Sequence, residues 1–165
     1  MGNKNDYQNN VDGCSTELTP LLKIPSISNK QLEIPIKENT RIINRKNKNG
    51  MTSLMLACID PKTDINTIKN YIAMDADLNI KNNDGNTALM LLFIHSNPRN
   101  KYAIAETLIK AKTNLNIKNK DGNTALIMAC KYSKHSKNEN IIKLLIHEKA
   151  ELNIKNNKGI TALMY

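Results

Sequence analysis

From residue 41 onward, apolar residues come in short runs set apart by polar stretches of almost constant length. One kind of run, such as Ala88 to Ile94, is nearly continuous and reads as a short, mostly buried helix. The other kind places apolar residues at helical spacing. These are Ile68, Tyr71 and Ile72, then Ile104, Ala105, Leu108 and Ile109, then Ile141, Ile142, Leu144, Leu145 and Ile146. Polar loops at residues 60–64, 95–101 and 131–140 separate the two kinds within each unit. Clusters of Asn, Asp and Lys ending in Gly separate the units and supply turn positions with φ > 0. The predicted order in each unit is turn, helix, loop, helix, turn.

The turns and the helices after them are copies of one another. Gly85-Asn86-Thr87-Ala88-Leu89-Met90 recurs as Gly122-Asn123-Thr124-Ala125-Leu126-Ile127, as Gly159-Ile160-Thr161-Ala162-Leu163-Met164 and, earlier, as Gly50-Met51-Thr52-Ser53-Leu54-Met55. The four glycines are 35, 37 and 37 residues apart. Ahead of three of them stands a second block: Leu78-Asn79-Ile80-Lys81-Asn82, Leu115-Asn116-Ile117-Lys118-Asn119 and Leu152-Asn153-Ile154-Lys155-Asn156. Ile43-Asn44-Arg45-Lys46-Asn47 is a looser copy. The Thr two residues after each Gly stands where a helix N-cap oxygen is needed. A single unit of two short helices cannot bury its own apolar face, so neighbours must stack into a solenoid.

These residues closely resemble the ankyrin repeat, whose units of about 33 residues carry G-x-T-P-L-H-x-A near the first helix, and A-D-V-N in the hairpin. Thr-Ala-Leu-Met, Thr-Ala-Leu-Ile or Thr-Ser-Leu-Met stands here for T-P-L-H, and Asp77-Leu78-Asn79 for D-V-N, with Asn114-Leu115-Asn116 and Glu151-Leu152-Asn153 as variants. The resemblance covers residues 41–165, with units starting near Gly50, Gly85 and Gly122 and a partial one at Gly159. It implies an all-α ankyrin-repeat solenoid of helix-turn-helix units with β-hairpin-like finger turns. Three departures predict modest stability. The motif's Pro is Ser53, Ala88, Ala125 and Ala162, which removes a pre-set φ. Its His is Met55, Met90, Ile127 and Met164, which removes a hydrogen bond to the adjoining turn. The Gly after the second helix is Asp75, Lys112 and Lys149, a cost of up to ~1 kcal/mol each in a left-handed conformation.

Composition changes this picture little. A 165-residue chain fits one domain plus a tail, and one Phe, five Tyr and no Trp suit a repeat array better than a single compact core. Residues 1–40 hold four Lys against five acids, whereas residues 41–165 hold twenty Lys or Arg against ten acids. A basic surface suggests nucleic acid or anionic lipid. Drift toward Asn, Lys and Ile, which share A/T-rich codons, accounts for it more simply. Residues 1–16 read as a disordered arm. Residues 17–40 read as an irregular segment or a degenerate repeat: Thr19-Pro20-Leu21 is in register, but Pro25 and Pro35 would fall inside its helices. The N-terminus lacks the apolar core of a signal peptide, and Asp6 stands where a myristoylation motif wants Ser or Thr. No apolar stretch approaches the ~20 residues of a membrane span. Cys14, Cys58 and Cys130 contain no C-x-x-C pair, and the expected setting is reducing and intracellular, in cytoplasm or nucleus.

No catalytic constellation, metal site or cofactor motif is expected. His95, His135 and His147 lack Cys or carboxylate partners at ligand or triad spacing. Cys58 and Cys130 occupy the position of Phe93 and read as buried thiols. The functional signal is a column: Lys46, Lys81, Lys118 and Lys155 each lie four residues before a repeat Gly. Stacking should align them along the turns, facing an acidic partner or a phosphate backbone, or simply solvated. In the resembled family, partners are bound by the hairpin tips and the exposed face of the first helix. Carried over by position, that surface is Lys81, Asn83, Asp84, Asn86, Ile94 and His95 in one unit, and Lys118, Lys120, Asp121, Asn123, Lys131 and Tyr132 in the next. Lys46, Lys48, Asn49, Met51, Ile59 and Asp60 precede them, and Tyr132 and Ile94 are the expected anchors.

The resulting reading is a non-catalytic protein–protein interaction module, an adaptor or a host-directed factor. Its Asn- and Lys-rich style is similar to that of ankyrin proteins of giant DNA viruses, which would place it in a host cell. Two alternatives are nucleic-acid or anionic-surface binding through the Lys column, and structural self-association through the last unit, which reaches Tyr165 inside its first helix.

Overall fold

The computed structural model describes residues 41–95, 100–133 and 138–165. The expected N-terminal arm, the segment 17–40, Cys14 and His135 lie outside the described residues. Residues 41–43 are helical, and the described residues further contain, with no strand, the helices α1 Ser53–Ile59, α2 Ile65–Ala73, α3 Ala88–Ile94, α4 Lys101–Lys110, α5 Ala125–Lys131 and α6 Glu139–His147, followed by a 3-10 turn at Ala162–Met164. The continuous apolar runs are the first helices and the spaced patterns are the second helices. The third inter-helix loop is shorter than its polarity suggests, because α5 continues through Lys131 and α6 opens at Glu139.

Thr52, Thr87, Thr124 and Thr161 each stand at the N-cap with extended backbone, φ −84 to −91°. The hydroxyls of Thr52 and Thr124 accept from Met55 N–H at 3.3 Å and Ile127 N–H at 3.4 Å. The second helices end alike. Asp75, Lys112 and Lys149 take φ of 59, 63 and 63°, the left-handed conformation that favours glycine. Around each one the chain folds back onto its helix. Lys112 N–H donates to Ile109 O at 3.0 Å and Thr113 N–H to Leu108 O at 3.4 Å; Asp75/Ala76 and Lys149/Ala150 repeat the pair. This pair of hydrogen bonds closes the last turn and turns the chain back toward the next finger.

The helices form two layers. First helices pack side by side in the order α1, α3, α5 and the 3-10 turn, second helices in the order α2, α4, α6, and each first helix packs on its own second helix. The core lies between the layers. In α3, Ala88 through Phe93 are all buried, and Ile104, Ala105, Leu108 and Ile109 of α4 close over them. Met55, Met90 and Ile127, at the motif's His position, are buried in the same core. Cys58 is fully buried, and burial pushes its thiol up to about 12. Cys130 departs from the expected burial: it is half-buried, because α5 leaves its C-terminal turn partly uncovered where Phe93 is closed in α3.

Candidate partner-binding surface

Each finger is a turn folded around one asparagine. In the second, Asn82 Oδ1 accepts from Asp84 N–H at 3.0 Å and Asn86 N–H at 2.9 Å, while Gly85 N–H donates to Asn82 O at 3.0 Å. Asn47, Asn119 and Asn156 do the same in the other three. The side-chain carbonyl imitates a backbone acceptor, which is why asparagine suits such turns.

Neighbouring fingers are joined at several levels. Asn83 N–H donates to Asn49 O at 3.1 Å, Lys120 N–H to Asp84 O at 3.0 Å and Asn157 N–H to Asp121 O at 3.0 Å. Nearer the helices, Asn44, Asn79 and Asn116 each accept, on Oδ1, the backbone N–H of the following unit's Asp77, Asn114 and Glu151 at 2.8–3.0 Å. The lysine column forms a further ladder. Lys46 Nζ donates to Lys81 O at 2.9 Å, Lys81 Nζ to Lys118 O at 2.9 Å and Lys118 Nζ to Lys155 O at 3.0 Å. So close an approach of fingers leaves no room for a side chain at Gly50, Gly85 or Gly122. A Cβ on Gly122, whose φ is 78°, would meet Asn157 N at 2.7 Å.

The expected site residues divide into three groups. Lys46, Lys81, Lys118 and Lys155 are exposed and aligned, with Asn83, Asp84, Lys120 and Asp121 exposed at the tips. Asn86 and Asn123 must be removed from the candidate surface, being only 3% and 2% exposed. Asn119 Nδ2 donates to Asn86 Oδ1 at 2.9 Å and Asn156 Nδ2 to Asn123 Oδ1 at 2.8 Å, so both serve the stacking of units. Met51, at the same position, is buried too. Ile94, His95, Lys131 and Tyr132 lie at the other end of the first helices, where His95 and Tyr132 are the C-caps. Ile94, His95 and Tyr132 are half-buried, and burial lowers the His95 pKa. Lys131 Nζ sits 5.5 Å from the Tyr132 ring centroid, a cation–π contact that orients the ring.

The two ends are one short helix apart, about 10 Å for seven residues. Between them the first helices offer little, since α3 and α5 are buried from Ala88 to Phe93 and from Ala125 to Ala129. The exposed helix face carried over by resemblance is therefore confined to the helix ends. What sequence reading missed is the stacking role of Asn44, Asn79, Asn86, Asn116 and Asn123. The signal was there in their recurrence at fixed offsets from Gly.

Among the described residues no group of three His, Cys, Asp or Glu could hold a metal ion, and no helix is long and apolar enough to cross a membrane. His147 Nδ1 meets Glu148 Oε1 at 3.2 Å on the exposed surface.

Stacked helix pairs joined by hydrogen-bonded fingers define an α-helical repeat protein. Residues 92–165 match the family model for ankyrin repeats, three copies. Motifs, fold and this match together identify the described residues as an ankyrin-repeat array. A putative ankyrin repeat protein of Acanthamoeba polyphaga mimivirus is 38% identical over 103 residues, which is 59% of this chain and 16% of that relative. The matched stretch thus spans less than a fifth of the relative's length. Ankyrin repeats are in general protein–protein interaction modules.

Proposed function

We propose that this chain is a non-catalytic adaptor whose finger row, with Tyr132 and Ile94 as flanking apolar anchors, binds a protein partner inside a cell. Given the similarity to a mimivirus protein, that cell is a virus-infected host. The observation carrying this reading is the row itself. Every finger is tied to the next by backbone, asparagine and lysine bonds, so the exposed tips are presented in fixed register. A pre-ordered surface loses little conformational freedom on binding, which favours affinity for a partner.

The test is capture from lysate by the full chain, with nuclease treatment and mass spectrometry. The comparison is a variant carrying Asp84→Lys, Asp121→Lys and Tyr132→Ala. Asp84 and Asp121 are exposed at the tips, so their reversal leaves the lysine ladder in place. A discrete, nuclease-resistant partner lost in the variant supports the adaptor reading. Retention by the variant would move the site elsewhere. Capture of nuclease-sensitive, salt-labile material alone would make the basic column a nucleic-acid surface instead.

A further inference from the structure

Beyond joining fingers, the lysine ladder presents a row of positive charge of fixed geometry. Each of Lys46, Lys81 and Lys118 reaches one unit forward to the main-chain carbonyl of the next column lysine. That bond uses one of three ammonium donors and leaves two available on each exposed side chain. Among the described residues the column lysines take part in no ion pair, since the salt bridges involve Lys110, Lys112, Lys143 and His147. Four exposed, uncompensated charges therefore recur once per stacked unit.

Neighbouring packed helices lie about 8–10 Å apart. Three residues of a polyproline II segment, one full turn, span about 9 Å and bring every third side chain back to the same face. We propose that the finger row recognises an acidic peptide segment of the partner in polyproline II conformation, with a carboxylate at every third residue, running along the stack so that successive carboxylates meet Lys46, Lys81, Lys118 and Lys155. The proposal rests on the reading that the fingers bind protein. Peptide is favoured over a nucleic-acid strand on two grounds. The column is flanked by the exposed tip acids Asp84 and Asp121, whose charge opposes the unbroken charge of a phosphate backbone more than a chain with one carboxylate in every three residues. The tips also carry no aromatic ring on which bases could stack.

The test is fluorescence anisotropy of the full chain with a labelled peptide bearing four Glu at every third position. Controls are an isomer with the four Glu contiguous and a single-stranded oligonucleotide of matching charge. The expected result is that the spaced peptide binds several-fold more tightly than its isomer and weakens as salt rises. Changing Lys46→Gln, Lys81→Gln and Lys118→Gln together should weaken it by about tenfold or more, from roughly two- to fivefold per exposed pair. Thermal unfolding of the variant checks that the fold persists, and the isomer and salt comparisons on the unaltered chain stand without it. Equal binding of the two peptides, or tighter binding of the oligonucleotide, overturns the proposal. If neither peptide binds while lysate capture still depends on Asp84, Asp121 and Tyr132, the acidic-segment proposal fails and the adaptor reading survives.

Discussion

Asp75, Lys112 and Lys149 hold a backbone conformation that a side chain disfavours, and they hold it because the turn-closing bonds around them leave no other path. Replacing Lys112 and Lys149 by Gly should therefore stabilise the chain by up to ~1 kcal/mol each, read as a higher urea midpoint at unchanged slope. The gain is reduced by the extra freedom glycine brings to the unfolded chain. Lys101 carries a different strain. Its ammonium is closed off from solvent without a hydrogen-bond partner, 5.6 Å from the Phe93 ring centroid. Burial lowers its pKa from 10.5 to about 8. Between these values the unfolded chain binds a proton that the folded chain does not, so stability rises with pH there. Cys58 works oppositely: its folded pKa is raised from 9.0 to about 12, so its contribution falls as pH rises above 9. The Lys101 rise is thus clearest between about pH 8 and 9. Lys101→Met keeps the apolar contact with Phe93, and should raise stability at pH 7 and abolish that rise in denaturant titrations.

At the scale of elements, the helices were legible and the fingers only half so. Continuous apolar runs marked the first helices and apolar spacing the second, because burial all round leaves an unbroken run and burial of one face a periodic trace. The asparagines read as turn formers, and their abundance read as drift in composition. In the structure Asn119 Oδ1 takes the N–H groups of Asp121 and Asn123, and its Nδ2 reaches Asn86 in the preceding unit. Asn119→Ala would leave those groups without their partners in a part-buried turn. We expect a loss of about 1–3 kcal/mol, measured by chemical unfolding. An exposed-tip change such as Asn83→Ser should fall within about 0.5 kcal/mol if its bond to Lys48 O is readily replaced by water.

Across the whole array, the repeat of Gly, Thr and Leu at 35 to 37 residues is enough to determine the fold, because each unit's apolar face can be covered only by another like it. The column of Lys46, Lys81, Lys118 and Lys155 was also legible, since residues at equal offsets in stacked units must align. What the chain alone left open was the direction and depth of each side chain. Asn86 and Lys81 stand in the same finger and are equally polar, yet stacking encloses the first and leaves the second exposed. Likewise Cys58 and Cys130 share a repeat position and differ in burial. Sequence by itself determined the unit, its helices and their order, because these depend on local periodicity and turn chemistry. Only tertiary structure decided which polar groups bind the array together and which remain for a partner, because a hydrogen bond between units depends on a neighbour 33 to 37 residues away.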